Sequence, residues 1–453
     1  MSKSALRVAF LAMVVVSLIV ACAPSATPTP VIVKETAVVK ETAVVVVTAT
    51  PPPKAETVDV VFWSSLSGTL GETTQDLVYR FNSSQDEVNV INEYQGDYYT
   101  TLQKFLAGMA AKKVPDIVQL DGMYTPFMAS RGAYANIDAL VKGPDGIDES
   151  DLLAGFAEGD KYNGSYYAWS YARSTPLLYF NTDAFAEVGL PLKAPATWDE
   201  LVAAARKLVK KNEKGEVVRY GFSLALRNWW FLESMFMSNG GTMYDEATQS
   251  APMTLPANVE VMKAIQDLIK EGVFTTSKDS GALSTDFLQQ KAAMCFKSTA
   301  DLAATVKAAT FKWDVGYIPK WDNYVVTPGG SVLAIAADSQ KKEAAWKFLK
   351  WITSPEITAE YSMRTGYIAL RKSAQETARL QDHFAKNPQF KVAVDQAQYA
   401  VGLPLIKAVP VVVENFYKLQ EEIFVGLAPV EATAKKYGDI MTEEFQSWLK
   451  ELG

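Results

Sequence analysis

Histidine and cysteine are almost missing from this chain. Among 453 residues there is one histidine, His383, and there are two cysteines, Cys22 and Cys295. A single histidine removes most histidine-dependent catalysis. A Ser-His-Asp triad could use only His383, which sits in the polar stretch Gln381-Asp382-His383. The two cysteines lie in unlike contexts, so no disulfide is expected, and they cannot build a zinc site alone. No metal and no cofactor is expected. Cys295 reads as a small buried residue. Runs of Lys and Arg are also missing, which argues against a nucleic-acid partner. There is no His-Glu-x-x-His, no Gly-x-Ser-x-Gly and no Gly-x-x-x-x-Gly-Lys-Ser/Thr. The formal charge of -7 bears on solubility rather than on substrate.

Residues 1–21 read as an export signal. Lys3 and Arg7 form a positive start, and Val8 to Ala21 is a nearly continuous apolar run. That run is shorter than the roughly 20 residues a membrane-spanning helix needs, and it suits a signal peptide. It ends Ile19-Val20-Ala21-Cys22, a sequence that resembles the bacterial lipobox and implies lipidation of Cys22. Residues 22–57 are expected to form the lipidated cysteine and a flexible linker. Pro, Thr, Ala and Val dominate there, Val-Lys-Glu-Thr-Ala-Val occurs at 33–38 and again at 39–44, and Pro51-Pro52-Pro53 closes the segment. A short strand at Val44–Val47 is the alternative, with no obvious sheet to join.

The body begins near Val58 and is too long for one core. Strand-like runs at 58–63, 88–94 and 116–120 alternate with helical patterns at 71–82 and 98–111. A strand at 177–180 is followed by a helix at 184–188. Thr197 is placed as an N-cap with Glu200 as its capping-box partner, opening a helix over 198–211. Helices are expected around 257–271 and 284–291, strands at 317–318 and 332–336, and mostly helix from 341 onward. The alternation indicates an α/β layer architecture.

Several stretches then resemble the family 1 extracellular solute-binding proteins of ABC importers, which include maltose-binding and glycerol-3-phosphate-binding proteins. They are Phe62-Trp63 with Gly68, Leu70, Gly71 and Arg80-Phe81-Asn82; Pro115 to Gln119; Thr175 to Phe185; Thr197 to Leu201; Lys291-Ala292-Ala293-Met294; Gly329-Gly330-Ser331; and Thr365 to Ile368. The resemblance covers roughly 58–445. It implies an α/β fold of two lobes with a ligand cleft between them: an N-lobe of 58–173 plus 318–337, and a C-lobe of 176–316 plus 339–453. The crossings between them are expected near Ser174–Pro176, Tyr317–Ile318 and Ala336–Asp338. It also implies a monomer held outside the cell membrane, which passes a small-molecule carbohydrate (a sugar, oligosaccharide or polyol) to the membrane subunits of an ABC permease.

A carbohydrate site needs hydrogen-bonding groups around an aromatic platform. Trp63 and Ser64 end the first strand, where an open α/β sheet exposes ligands, although Trp63 reads equally well as core. Asp121 ends the third strand and could accept two hydroxyls or cap the next turn. The resemblance adds Tyr98, Ser174, Trp229, Trp230, Thr299, Gly330 and Tyr367. The chain departs from the family where a phosphate-clamping arginine is found in the glycerol-3-phosphate branch: only Lys407 is nearby. It departs again at Gly122, which stands in place of a glutamate, and at Ala369, which stands in place of a proline. Glycerol-3-phosphate or glycerophosphodiester binding is therefore the alternative. A secreted glycosidase, which needs two carboxylates flanking a bond, is more remote.

Overall fold

The β-branched run that opens the body forms the first strand, and the rest of the architecture grows from it. The computed structural model describes residues 56–402 and 409–452. The signal segment, Cys22, the linker as far as Ala55 and Lys407 lie outside the described residues. In chain order the principal strands are β1 (Val58–Ser64), β2 (Val88–Tyr94), β3 (Ile117–Asp121), β4 (Trp169–Ser174), β5 (Pro176–Asn181), β6 (Val217–Ala225), β7 (Phe274–Ser277), β8 (Ala292–Ser298), β9 (Trp313–Gly316) and β10 (Gly329–Ile335). Among the helices are α1 (Gly68–Ser84), α2 (Tyr98–Ala110), α3 (Trp198–Leu208), α4 (Trp229–Ser238), α5 (Pro256–Lys270), α6 (Lys342–Ile352), α7 (Pro355–Thr365), α8 (Pro388–Gln396), α9 (Val409–Phe424) and α10 (Val430–Leu452). No described helix is long and apolar enough to cross a membrane.

The strands form two sheets. The first has the order β2-β1-β3-β10-β4 and the second β7-β6-β8-β5-β9. In the first, β1 pairs in parallel with β2 and β3, and β10 runs antiparallel to β3 and β4. In the second, β6 is parallel to β7 and β8, while β5 is antiparallel to β8 and β9. Both sheets carry helices, so burial on both faces reaches inner strands such as β5 and even the edge strand β4. Trp169–Ser174 and Pro176–Asn181 show no exposed residue at all. That explains why β4, β6 and β8 lack a period-two pattern and were not anticipated as strands.

Local chemistry fixes where several elements begin. The Thr197 hydroxyl accepts from the Glu200 N–H (3.2 Å), as a capping box requires. The Glu200 carboxylate reaches back to the Ala196 N–H (2.7 Å), one residue further than expected. Asp97 caps α2 by accepting from the Thr100 N–H (2.7 Å), and Asn228 caps α4. The strand expected at 317–318 ends earlier, at Gly316, because the Ile318 N–H is taken by the Gln396 side chain (2.8 Å) instead of a neighbouring strand.

One expectation about the chain's course is corrected. Residues 339–453 do not all pack with the second sheet. Phe348 of α6 meets Phe62 and Phe81 of the first layer at ring separations of 5.8 and 5.1 Å, and Trp346 meets Trp169 at 6.2 Å. Arg80 of α1 pairs with Glu360 of α7 at 2.6 Å. The crossing expected at 336–338 is absent, since the Ala336 N–H still bonds Asp116 in the first layer (3.0 Å). By contrast α9 and α10 pack on the second layer, with Phe416 against Phe236 (6.3 Å) and Phe445 against Tyr244 (4.4 Å). The chain therefore returns to the second layer after α7.

Candidate functional site

Strand ends and helix starts converge on one cavity of about 230 Å³. From the first layer come Asp121 at the end of β3, Tyr98 at the start of α2, Ser174 at the end of β4, and Gly329 and Gly330 at the start of β10. Tyr367 follows α7. From the second layer come Trp229 and Trp230 at the start of α4, Arg227 and Asn228 just before them, Ser298 at the end of β8, and Tyr417 on α9.

Asp121 does both things its position allowed. Its carboxylate accepts from the Met123 N–H (3.0 Å), capping a single helical turn, and it also faces the cavity. Burial pushes its pKa up to about 6, a rise that the Met123 bond and the nearby Arg173 cation oppose. Arg173 lies in the first layer with 1% of its surface exposed. Its guanidinium donates to the Gly330 carbonyl (2.9 Å) and fills the space that a Cβ on Gly122 would enter, at 2.0 Å. Glycine at 122 is thus what admits the arginine.

The Tyr98 hydroxyl is buried. Ser331 and Tyr367 are its polar neighbours, but no hydrogen bond to it meets ordinary geometry. Burial raises its pKa to about 12, so it remains a neutral hydroxyl. Tyr367 stacks on Tyr361 with centroids 5.7 Å apart and planes 13° apart, which fixes the ring. Gly330 adopts φ +84°, and a Cβ there would lie 2.1 Å from the Ala172 carbonyl. A Cβ on Gly329 would lie 3.1 Å from the Trp230 ring. The glycine pair lets β10 approach both its neighbour strand and the tryptophan.

Tyr98, Asp121, Ser174, Trp229, Trp230, Gly330 and Tyr367 are thus brought together. Three residues expected with them are not. The Trp63 indole N–H donates to Glu93 (2.9 Å) and its ring meets Phe105 edge-on, so it belongs to the strand surface. Ser64 shares the core face of Val60 and Phe62, as the two-residue period of a strand dictates. Thr299 is fully buried one residue beyond Ser298, and it is Ser298 that lines the cavity. Residues not foreseen are Arg227, Asn228, Ser298, Gly329 and Tyr417. A cation and a cap residue directly before a tryptophan pair were a readable signal for Arg227 and Asn228. Tyr417, inside an amphipathic helix, carried none. Arg227 has a left-handed backbone (φ +54°), uncommon for a side chain of its size. Its guanidinium lies 4.9 Å over the Tyr417 ring and pairs with Glu414 at 3.2 Å.

Comparison with known proteins bears on the family and the fold. The family model described as bacterial extracellular solute-binding protein matches residues 67–359. The sn-glycerol-3-phosphate-binding periplasmic protein UgpB of Escherichia coli K12 is 26% identical over 366 residues, covering 77% of this chain and 82% of its own. UgpB from Mycobacterium tuberculosis, solved with glycerophosphocholine, superposes with a TM-score of 0.79 at 26% identity, covering 86% of this chain and 99% of its own. The GacH receptor of Streptomyces glaucescens, solved unliganded and with acarbose, superposes at 0.76 with 20% identity, covering 86% and 99%, and it speaks for the fold alone. The fold is that of a two-lobe periplasmic binding protein, and the chain belongs to the bacterial extracellular solute-binding proteins.

Proposed function

We propose that this protein captures a compact, hydroxyl-rich solute, a sugar or polyol, in the cavity between its two layers, and delivers it unaltered to the membrane subunits of an ABC importer. The observation that carries this reading is the meeting, in one cavity, of the half-buried carboxylate of Asp121 and the buried, unpaired hydroxyl of Tyr98 with Trp229 and Trp230. Sugars present hydroxyls at their edges and C–H groups on their faces, which such a site satisfies. A cavity of about 230 Å³ favours a monosaccharide or polyol over a long oligosaccharide. Lipidation of Cys22 would tether the exported protein to the outer face of the membrane through its linker.

A second reading is a phosphate-bearing polyol. Arg227 supports it by bringing a cation to the cavity wall, and so do the ligands for which the 26% identical relatives are named. A thermal-shift panel of monosaccharides, oligosaccharides, polyols, glycerol-3-phosphate and glycerophosphodiesters separates the two, because a ligand of the folded state raises the melting temperature. Stabilisation without product supports a receptor. Turnover of any glycan would overturn it.

A further inference from the structure

Three stretches of chain join the two layers. Thr175 links β4 of the first sheet to β5 of the second. Residues 317–328 link β9 of the second sheet to β10 of the first. The third is the return from α7, packed on the first layer, towards α9, packed on the second, and α8 and the described residues after it, up to Gly402, belong to it. Each segment crosses where regular pairing has stopped. Their backbone groups therefore need partners that a sheet does not supply.

One side chain supplies several of them. Gln396, the last residue of α8, is 1% exposed. Its Oε1 accepts from the Ile318 N–H of the second crossing (2.8 Å). Its Nε2 donates to the Thr175 hydroxyl (3.1 Å) and to the Pro176 carbonyl (2.6 Å), both at the first crossing. Both amide hydrogens and the oxygen are thus engaged, on two crossings, from a residue that sits on the third. Three residues on, the backbone repeats the connection: Val326 N–H donates to the Tyr399 carbonyl (3.0 Å), and Val401 N–H donates back to Val326 (3.1 Å). The Tyr399 ring packs against Tyr324 at 5.2 Å and Tyr317 at 5.8 Å, both on the second crossing.

We propose that Gln396 is the positioning residue of the hinge: its buried amide binds the three crossings so that they move as one unit. The inference rests on the reading of two layers that close on a solute. It goes beyond that reading in naming the residue that couples the connections. The neighbouring cavity residues give the coupling its consequence. Ser174 immediately precedes the first crossing, and Gly329 and Gly330 immediately follow the second. A hinge whose strands slipped separately would displace the two parts of the cavity wall independently. Removing the amide leaves the Ile318 N–H and the Pro176 carbonyl without their partner in a dry site, a cost that favours local opening.

Hydrogen exchange on the full-length protein tests this without any ligand. Gln396→Met keeps the size of the side chain and removes the amide. Gln396→Glu, studied at a pH where the carboxyl is ionised, keeps an acceptor for Ile318 but cannot donate to Thr175 or Pro176, and it serves if the methionine variant does not fold. Gln266→Met is the control, because Gln266 is also buried and bonds the Ile423 and Ala428 carbonyls (2.9 and 2.7 Å), far from the crossings in the chain. Both Gln396 variants are expected to raise exchange about tenfold, the equivalent of one lost hydrogen bond, at 175–178, 317–326 and 396–401 together. The control is expected to leave those segments unchanged. Acceleration confined to Ile318, or equal loosening of the crossings by Gln266→Met, would overturn the proposal. Closure is read separately on the wild-type chain, from whether glycerophosphocholine or a monosaccharide protects residues 98–101 and 227–231. That result bears on the two-layer reading and leaves the Gln396 result standing.

Discussion

The wall of the cavity contributed by the first layer and the wall contributed by the second are built differently. Asp121, Tyr98 and Tyr367 present oxygens whose burial, partial at Asp121 and Tyr98, raises their pKa values, backed by Arg173 and by the stack on Tyr361. Arg227, Trp230 and Tyr417 contribute aromatic rings and a cation whose side chain is 52% exposed and already shared with Glu414. A dry, fixed oxygen acceptor discriminates strongly, because any ligand that fails to satisfy it leaves a buried polar group unpaired. A solvated cation over a ring adapts to several partners at lower cost. The first wall should therefore set which hydroxyl pattern is accepted, and the second should tune charge and size.

Substitutions can break this contrast. Asp121→Leu should have the largest effect on binding. A hydrogen bond to a charged group is worth about 1.5–3 kcal/mol, so the dissociation constant for any solute found in the thermal-shift panel should rise roughly 10- to 100-fold by calorimetry. Gly122→Ala forces the Arg173 guanidinium from its place, since the new Cβ would lie 2.0 Å from Nη1. Overpacking of that kind costs about 1–3 kcal/mol in chemical denaturation, and it should weaken binding as well. Arg227→Met should lower affinity about tenfold for a phosphate-bearing polyol and leave a neutral sugar nearly untouched, as expected for a half-exposed charge pair. Equal losses for both ligand classes would erase the distinction between the walls.

The same contrast was only partly legible in the chain. Asp121 could be singled out because it stands at a strand end, and α/β sheets gather such ends at one edge, whereas Tyr98, Ser174, Trp229, Trp230, Gly330 and Tyr367 came from the family resemblance and not from local pattern. Trp63 and Ser64 stand at a strand end too. The two-residue period puts Ser64 on the core face with Val60 and Phe62, a signal that was there to be read, but nothing local reveals that Trp63 turns to Glu93. Arg227 and Tyr417 meet across 190 residues, and the apolar stripe of a helix tells which face is buried but not against what. The placement of α6 and α7 failed for the same reason. Their amphipathic pattern is plain, yet only the meeting of Phe348 with Phe62 and Phe81 decides which sheet they cover.

A smaller effect comes from pH, and it has opposite signs for folding and for binding. Burial raises Asp121 to about 6, and Asp160 and Glu233 to about 7, all above their values in the unfolded chain. Between pH 7 and about 5 these three acids hold more protons in the folded than in the unfolded state, outnumbering His383, whose pKa burial lowers and which acts the other way, so acidification through this window should raise the melting temperature of the free protein. Binding that relies on an ionised Asp121 should weaken over the same window. In Asp121→Asn the dependence of affinity on pH should flatten, while the stabilisation arising from Asp160 and Glu233 persists.

Calorimetric titration of the wild-type protein and Asp121→Leu with the compact sugars and polyols of the panel reaches the centre of the account. Saturable one-to-one binding by the wild type, lost in the variant while its circular dichroism stays native, is the result expected. Wild-type protein that binds none of these solutes, or a variant that binds them equally well, would contradict it.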